Sequence, residues 1–310
     1  MISDLLSTTV LIGILASGIR LATPYLYAAI GETFSQRSGV LNLGVEGQML
    51  LGSFFAFYVA LKTGSPWLGL LAAMLVGALM GLAMAYVTVN LHAQQGISGI
   101  GFYLFGLGMS DLLFQRLMGT IETVQGFQKI NIPGLSNIPG LGMIFFNHNI
   151  LVYGAYLLVP IAWFVLNKTT LGLKIRSVGE NPDAADSLGV NVARIRYFTI
   201  ILGGTLSGIA GASLSIGLLN VFQQNMTSGQ GFIAVALVYF GAWTPVGVLG
   251  GALLFSMVNS LQLWIQVKNV PIPSEIAVMM PYVLTIIVLV LAVSRVRAPS
   301  ALTKPFEREN

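Results

Sequence analysis

The chain is divided into uninterrupted apolar stretches of about 20 residues, the length that a helix needs to cross roughly 30 Å of hydrocarbon. Only 8% of its 310 residues are charged, whereas soluble domains carry about 25%. A membrane β-barrel would instead show alternating segments of about 10 residues. We therefore predict an all-α fold, a polytopic transmembrane helical bundle of about nine spans (8–10), some broken or re-entrant. The predicted spans are residues 10–30, 40–61, 67–91, 97–117, 150–166, 197–219, 231–242, 247–266 and 276–293.

Residue usage excludes several kinds of functional site. The chain has no cysteine, which excludes disulfides, thiol catalysis and thiolate metal ligands. Its only histidines are His92 and His148, so a histidine-rich metal centre is not expected. The net charge is +4, but no basic run is interleaved with aromatic residues, and we predict no nucleic-acid partner. The 36 glycines suit close packing of helices in lipid.

The basic residues predict which side of the membrane each loop occupies. Residues 167–196 and the segment after Ser294 together carry nine of the 15 lysines and arginines. Cytoplasmic loops are enriched in these residues, so both segments, including the C-terminus, are expected in the cytoplasm. Counting spans from them places the long segment 118–149 and the N-terminus outside. Prolines and glycines among apolar residues in 118–149 predict an ordered cap.

The basic segment contains signals for a short helix. Asn181 is a favourable N-cap, Pro182 suits the first helical position, and Asp183 suits the positive helix N-terminus. Gly189 would end the helix after about two turns. The pattern fits an ordinary loop helix, and it fits equally a helix that docks in a groove on a soluble partner and passes motion to the spans.

The sequence from Asp183 to Gly189 resembles the Glu-Ala-Ala-x-x-x-Gly coupling motif of ABC importer permeases. Asp183-Ala184-Ala185 is followed by three residues and Gly189, with Asp in place of the first Glu. The resemblance implies that the coupling segment, about 167–196, contacts a cytoplasmic ATPase. The residues assigned to this coupling are Glu180, Asn181, Pro182, Asp183, Ala184, Ala185 and Gly189.

Two further segments carry the same family resemblance. Residues 35–48, Ser-Gln-Arg-Ser-Gly-Val-Leu-Asn-Leu-Gly-Val-Glu-Gly-Gln, are similar to a signature of permeases for ribose-type sugars, nucleosides and branched-chain amino acids. Gln36 stands where that signature often has Glu. Residues 226–247, from Met226-Thr-Ser-Gly-Gln-Gly to Trp243-x-Pro-x-Gly247, resemble the same family. The likeness is greatest to its nucleoside branch.

The resemblance implies the protein's setting and partners. The whole of residues 1–310 is expected to be one transmembrane permease domain in the bacterial cytoplasmic membrane. Its expected partners are a cytoplasmic ABC ATPase, a second permease that is identical or paralogous, an extracytoplasmic solute-binding protein and the lipid bilayer. No cofactor is expected on this chain, because Mg-ATP would bind the partner ATPase.

Polar residues inside the spans are the candidates for a solute pathway. Asn42 and Glu46 are four apart and so share a helical face, and a carboxylate in the bilayer needs a partner or a cavity. Glu46 either lines the pathway or is a structural carboxylate bonded to Arg37 or a backbone amide. Amides suit a neutral solute because they both donate and accept hydrogen bonds. The pathway candidates are Asn42, Glu46, Gln48, Asn90, Gln223, Asn225 and Asn259.

The sequence disfavours an enzyme. It has no Gly-x-x-x-x-Gly-Lys-Ser/Thr phosphate loop and no Ser/His/Asp arrangement. The expected function is that of the permease subunit of an ATP-driven importer for a small polar solute, most simply nucleosides, working by alternating access. The alternative is a secondary transporter driven by an ion gradient. Alternative substrates are a ribose-type sugar or a branched-chain amino acid.

Overall fold

The computed structural model describes residues 8–136, 138–268, 273–292 and 297–307. Those residues form twelve α-helices and one small two-stranded sheet. The helices are α1 (Thr8–Arg37), α2 (Val45–Thr63), α3 (Pro66–Ala85), α4 (Gln95–Leu117), α5 (Leu141–Phe145), α6 (Ile150–Lys168), α7 (Thr170–Glu180), α8 (Pro182–Ser187), α9 (Val192–Ala212), α10 (Gln230–Phe240), α11 (Pro245–Val267) and α12 (Ser274–Ala292). Helices α3 and α9 continue as π-helical turns over Tyr86–Asn90 and Ser213–Leu219.

Within the described residues, six helices are long and apolar enough to cross a membrane: α1, α3, α4, α6, α9 and α11. Helices α10 and α12 contain shorter apolar segments. At about 1.5 Å per residue, the 11 residues of α10 are too short to cross the hydrocarbon alone. The helical fold is thus confirmed, and α10 accounts for the predicted span 231–242 as a short helix.

Helix α9 lies at the centre of the bundle and α4 at its periphery. Of the most apolar window in each helix, 72% is buried for α9 with its π-helical turn, but only 22% for α4. Helix α9 packs against α1, α2 and α3, while α4 packs mainly against α2. Helix α11 packs against α1 and α12, and the short α10 lies between α1, α2 and α11.

Glycines permit the closest of these contacts. The Cα atoms of α9 approach α2 and α3 so closely that a Cβ on Gly52 would lie 2.7 Å from the Cα of Gly208. A Cβ on Gly204 would lie 2.9 Å from the Cα of Gly81 and closer still to the carbonyl oxygen of Gly77. Small residues at such crossings drive helix association in lipid through van der Waals contact.

The segment 118–149 contains regular structure that the apolar pattern did not predict. Strand β1 (Lys129–Asn131) pairs antiparallel with β2 (Asn147–Asn149), with Ile130 opposite His148. His148 is buried, and its Nε2 hydrogen-bonds to the carbonyl oxygen of Ile144 across 2.7 Å. Burial lowers the pKa of His148, so the ring is neutral at pH 7 and Nε2 is its donor.

Candidate solute pathway and coupling segment

The connection between α1 and α2 is held by buried polar side chains. Residues 38–44 are not helical, and Gly39 has a φ of +91°, so the predicted span 40–61 begins as an irregular segment. The side-chain oxygen of Asn42 accepts the N–H of Gly44 (2.9 Å), and its Nδ2 donates to Oε1 of Gln48 (3.2 Å). Oε1 of Glu32 accepts the N–H of Asn42 at 3.0 Å.

Glu46, in the first turn of α2, binds a segment far along the chain. Its Oε1 accepts the hydroxyl of Thr227 (2.6 Å) and the N–H of Gly229 (2.7 Å). Its Oε2 accepts the N–H of Gly231 at 2.5 Å. We call Glu46, Thr227, Gly229 and Gly231 the Glu46 cluster. The carboxylate is 1% exposed and satisfies donors that precede and begin α10, which favours the structural alternative for Glu46.

The Glu46 cluster fixes an unusual backbone. Positive φ angles occur at Asn225 (+52°), Ser228 (+45°) and Gly229 (+87°). Non-glycine residues in this region cost of order 1–3 kcal/mol each and persist where the surroundings determine them. The three hydrogen bonds to Glu46 supply that determination.

The two signature segments that lie far apart in sequence contact each other. Besides the Glu46 cluster, the Nε of Arg37 donates to the carbonyl oxygen of Trp243 (2.8 Å). The indole Nε1 of Trp243 donates to Oε1 of Gln36 (2.7 Å). The partner of Glu46 is therefore not Arg37 but the backbone and hydroxyl of residues 227–231, and segments 35–48 and 226–247 form one polar layer.

A cavity of about 130 Å³ lies beside the Glu46 cluster, between α1, α10, α11 and α12. Ser228 and Gln230, which alternate with the residues bonded to Glu46, line it. The predicted pathway residue Asn259 also lines it, together with Gln262 one helical turn further along α11. Among the described residues, the remaining lining is Tyr25, Thr227, Ile233, Phe255, Val278, Pro281 and Tyr282, without a charged side chain.

The other predicted pathway residues lie elsewhere. Gln223 and Asn225 are exposed on the segment that leads to α10. Asn90 accepts the hydroxyl of Tyr197 (2.5 Å) at the end of the π-helical turn that follows α3. The structure therefore brings Asn259 into a cavity, Asn42, Glu46 and Gln48 into a buried structural network, and Asn90 into neither. Their pathway role stays a prediction.

The short helix predicted in the coupling segment is α8. The Oδ1 of Asn181 accepts the N–H of Ala184 (3.0 Å), and Pro182 is the first helical residue. Gly189 has a φ of +82°, a conformation suited to glycine at a helix end. Asp183 and Ala184 are exposed, whereas Ala185 is buried against Val178, Val192 and Phe306. The neighbouring Leu188 is 85% exposed.

The C-terminal segment 297–307 packs against this helix, a contact that no sequence signal indicated. The N–H of Ala301 donates to the carbonyl oxygen of Gly179 (2.9 Å), and the N–H of Thr303 donates to that of Gly39 (3.1 Å). The hydroxyl of Ser300 donates to Oε2 of Glu180 at 3.1 Å. One short segment thus bonds both the end of α7 and the turn between α1 and α2.

Buried Arg196, near the start of α9, joins the turn between α1 and α2 to segment 297–307. Its Nε donates to the carbonyl oxygen of Ser38 (3.3 Å) and its Nη1 to that of Lys304 (3.2 Å). The number of basic residues in the coupling segment predicts only its side of the membrane. Arg196 shows that one of them, 2% exposed, is a structural donor within the protein.

Comparison with known families identifies the family to which the chain belongs. Residues 14–289 match the model of the family described as "Branched-chain amino acid transport system / permease component". The chain belongs to this family. The resemblance drawn from the sequence is confirmed, and the chain is a permease component of an ABC transporter, a membrane subunit that does not itself catalyse a reaction.

Three curated relatives cover most of the chain. The guanosine ABC transporter permease protein NupQ of Bacillus subtilis is 39% identical, over 92% of this chain and 93% of the relative. The putative glucose ABC transporter permease protein TsgC13 of Haloferax volcanii is 37% identical, over 96% and 98%. A second guanosine ABC transporter permease protein of Bacillus subtilis, NupP, is 28% identical, over 89% and 80%. No solved structure matches the chain.

Proposed function

We propose that this chain is one of two membrane subunits of an ATP-driven importer for nucleosides, which moves its substrate by alternating access. Family membership supports the permease role, and the single observation that carries the ATP coupling is helix α8. It is capped by Asn181, ends at Ser187 shortly before the positive-φ residue Gly189, and exposes Asp183. A secondary transporter has no need of such a helix, and the relatives named above are ABC transporter permeases.

Nucleosides are the proposed substrate because NupQ, 39% identical over nearly the whole chain, is a guanosine permease. A sugar is the second candidate, favoured by the putative glucose permease TsgC13 at 37% identity. The lack of charged side chains among the described residues that line the cavity weighs against a branched-chain amino acid as the substrate. A zwitterion leaving water requires paired charges, and the described lining residues carry none.

The second permease is proposed to be a paralogue. Bacillus subtilis has two permeases of different sequence, NupQ and NupP, and each is named a guanosine ABC transporter permease protein. This chain is 39% identical to the first but only 28% identical to the second, so it corresponds to the NupQ position. A cytoplasmic ABC ATPase that holds Mg-ATP and an extracytoplasmic solute-binding protein complete the proposed complex.

The contacts around α8 support a route by which the ATPase would act on the pathway. Movement of α8 displaces Gly179, which is bonded to Ala301, and Thr303 is bonded to Gly39. Gly39 lies in the irregular segment 38–44, in which the side-chain oxygen of Asn42 accepts the N–H of Gly44 immediately before α2. The next turn carries Glu46, which fixes the wall of the cavity. We infer that α8, segment 297–307 and the cytoplasmic ends of α1 and α9 move together.

Transport by the reconstituted complex tests the proposal. Proteoliposomes that contain both permeases and the ATPase, with solute-binding protein outside, are expected to accumulate labelled guanosine only when ATP is enclosed. Unlabelled nucleosides should compete, and ribose, glucose and leucine should not. Uptake driven by a proton or sodium gradient without the ATPase would refute the ATP-coupled mechanism.

A further inference from the structure

We propose that the cavity between α1, α10, α11 and α12 binds the nucleobase of the transported solute, an inference that rests on the proposed nucleoside import. The cavity adjoins the Glu46 cluster, which fixes the backbone of residues 227–231 by three hydrogen bonds. Ser228 and Gln230 are thereby held on the cavity wall. A wall fixed in this way is suited to recognition, because its polar groups are ordered before the solute arrives.

Three amide side chains face this one space. Asn259 and Gln262 come from one face of α11, and Gln230 comes from the first turn of α10. An amide donates from its nitrogen and accepts at its oxygen, which matches the adjacent donors and acceptors on the edges of bases. Oε1 of Gln230 is buried and has no hydrogen-bond partner among the described residues. A base N–H would satisfy it, and buried acceptors of this kind need an explanation.

Aromatic rings complete the match. The ring centroids of Tyr25 and Phe255 are 5.2 Å apart at 72°, and those of Phe255 and Tyr282 are 6.5 Å apart at 80°. Every base has a π face that can stack on an aromatic side chain, so this wall accepts both purines and pyrimidines. A free ribose could hydrogen-bond to the amides and hydroxyls, but it has no flat π face to stack on the aromatic rings.

Paired variants on α11 test the assignment. Gln262 is 8% exposed and lines the cavity, whereas Gln266, one turn away on the same helix, is exposed and does not. With the complete complex in proteoliposomes, Gln262→Ala should reduce guanosine uptake about tenfold, equivalent to about 1.4 kcal/mol. Gln266→Ala should leave it unchanged. Asn259→Ser is the second cavity variant, used if Gln262→Ala does not assemble.

A direct binding measurement distinguishes the loss of a contact with guanosine from a structural effect of the Gln262→Ala substitution. The permease–ATPase complex in nanodiscs, without solute-binding protein, is mixed with guanosine and observed by saturation-transfer NMR. The base proton H8 should receive more saturation than the ribose protons, and Gln262→Ala should remove the H8 signal. Membrane abundance of the complex should remain that of the wild type.

The outcomes distinguish the two proposals. If the wild-type complex imports guanosine while Gln262→Ala and Asn259→Ser bind and transport it normally, the cavity is not the nucleobase site and the proposed function stands. If the wild-type complex imports ribose or glucose and not guanosine, the nucleoside function itself is wrong, and the nucleobase assignment fails with it.

Discussion

The hydroxyl of Thr227 donates to the carboxylate of Glu46 across 2.6 Å, although 181 positions separate the two residues in the chain. The backbone N–H groups of Gly229 and Gly231 donate to the same carboxylate. Three donors on one buried acidic group use the acceptor capacity of both its oxygens. The arrangement joins the start of α2 to the start of α10.

Removal of the Glu46 carboxylate should destabilise the permease. In Glu46→Ala the three donors lose their acceptor, and each buried group left unsatisfied costs about 1–3 kcal/mol. We expect a lower thermal unfolding temperature for the solubilised complex, less permease in the membrane and little uptake. Glu46→Gln keeps one oxygen and should be intermediate in all three measurements. A fully stable and active Glu46→Ala protein would contradict the structural role, and inactivity of a fully stable Glu46→Gln would instead indicate a carboxylate that carries protons.

The sequence predicted well those features that local chemistry determines. Asn181, Pro182 and Gly189 follow helix-capping rules that operate over a few residues, and the structure has a helix between them. The acceptor role of Glu46 toward a backbone amide was one of two open alternatives. Its partners were not predictable, since contact between residues 46 and 227 depends on how whole helices pack and not on any local period.

Two other structural features could not be predicted from the sequence, because they leave no recognisable pattern of side chains. The basic charge of segment 297–307 predicts only its side of the membrane, yet the segment is fixed by the backbone N–H groups of Ala301 and Thr303, a donor that every non-proline residue possesses. Strands β1 and β2 have three residues each, too few for an alternating pattern to be recognised. Hydrophobic runs locate helices in the membrane, but they do not reveal backbone contacts at its surface.

A larger side chain at the α3–α9 contact should disrupt helix packing. The Cβ of Gly204→Val would overlap the backbone of Gly77 and Gly81, and overpacking of this kind typically costs about 1–3 kcal/mol. We expect a lower unfolding temperature and reduced uptake. Gly101→Val is the matched control, since a Cβ at Gly101 has no atom within 4 Å. Equal effects of the two changes would show that α3 and α9 do not pack in this way.

Changes at the end of α8 should uncouple transport from ATP without unfolding the protein. A Cβ at Gly189 meets no atom within 4 Å, so Gly189→Arg adds bulk and charge to an exposed surface. Gly189→Ala is the control for the left-handed backbone, whose cost is about 1 kcal/mol. Guanosine uptake should be lost in Gly189→Arg and largely kept in Gly189→Ala. Membrane insertion and affinity for the solute-binding protein should persist in both.

The charge of Asp183 offers an independent check on the same surface. Asp183 is exposed in the first turn of α8, so Asp183→Lys reverses a charge on an exposed side chain. We expect loss of uptake and of substrate-stimulated ATP hydrolysis, with normal assembly of the permease. Normal uptake with unchanged dependence on ATP would show that α8 does not contact the ATPase.

The bond between Thr303 and Gly39 should be required for coupling, and two substitutions at one position can show it. Thr303 has a φ of +68° and donates its N–H to Gly39. Thr303→Pro removes the N–H and cannot adopt a positive φ, whereas Thr303→Gly keeps the donor and favours the conformation. The Pro variant should hydrolyse ATP at the basal rate but show several-fold lower guanosine uptake and no stimulation by loaded solute-binding protein. The Gly variant should match the wild type in all three measurements. If the Pro variant remains fully coupled, α8 must act on the spans through α7 and α9 alone, because segment 297–307 would then be dispensable for transmitting its movement.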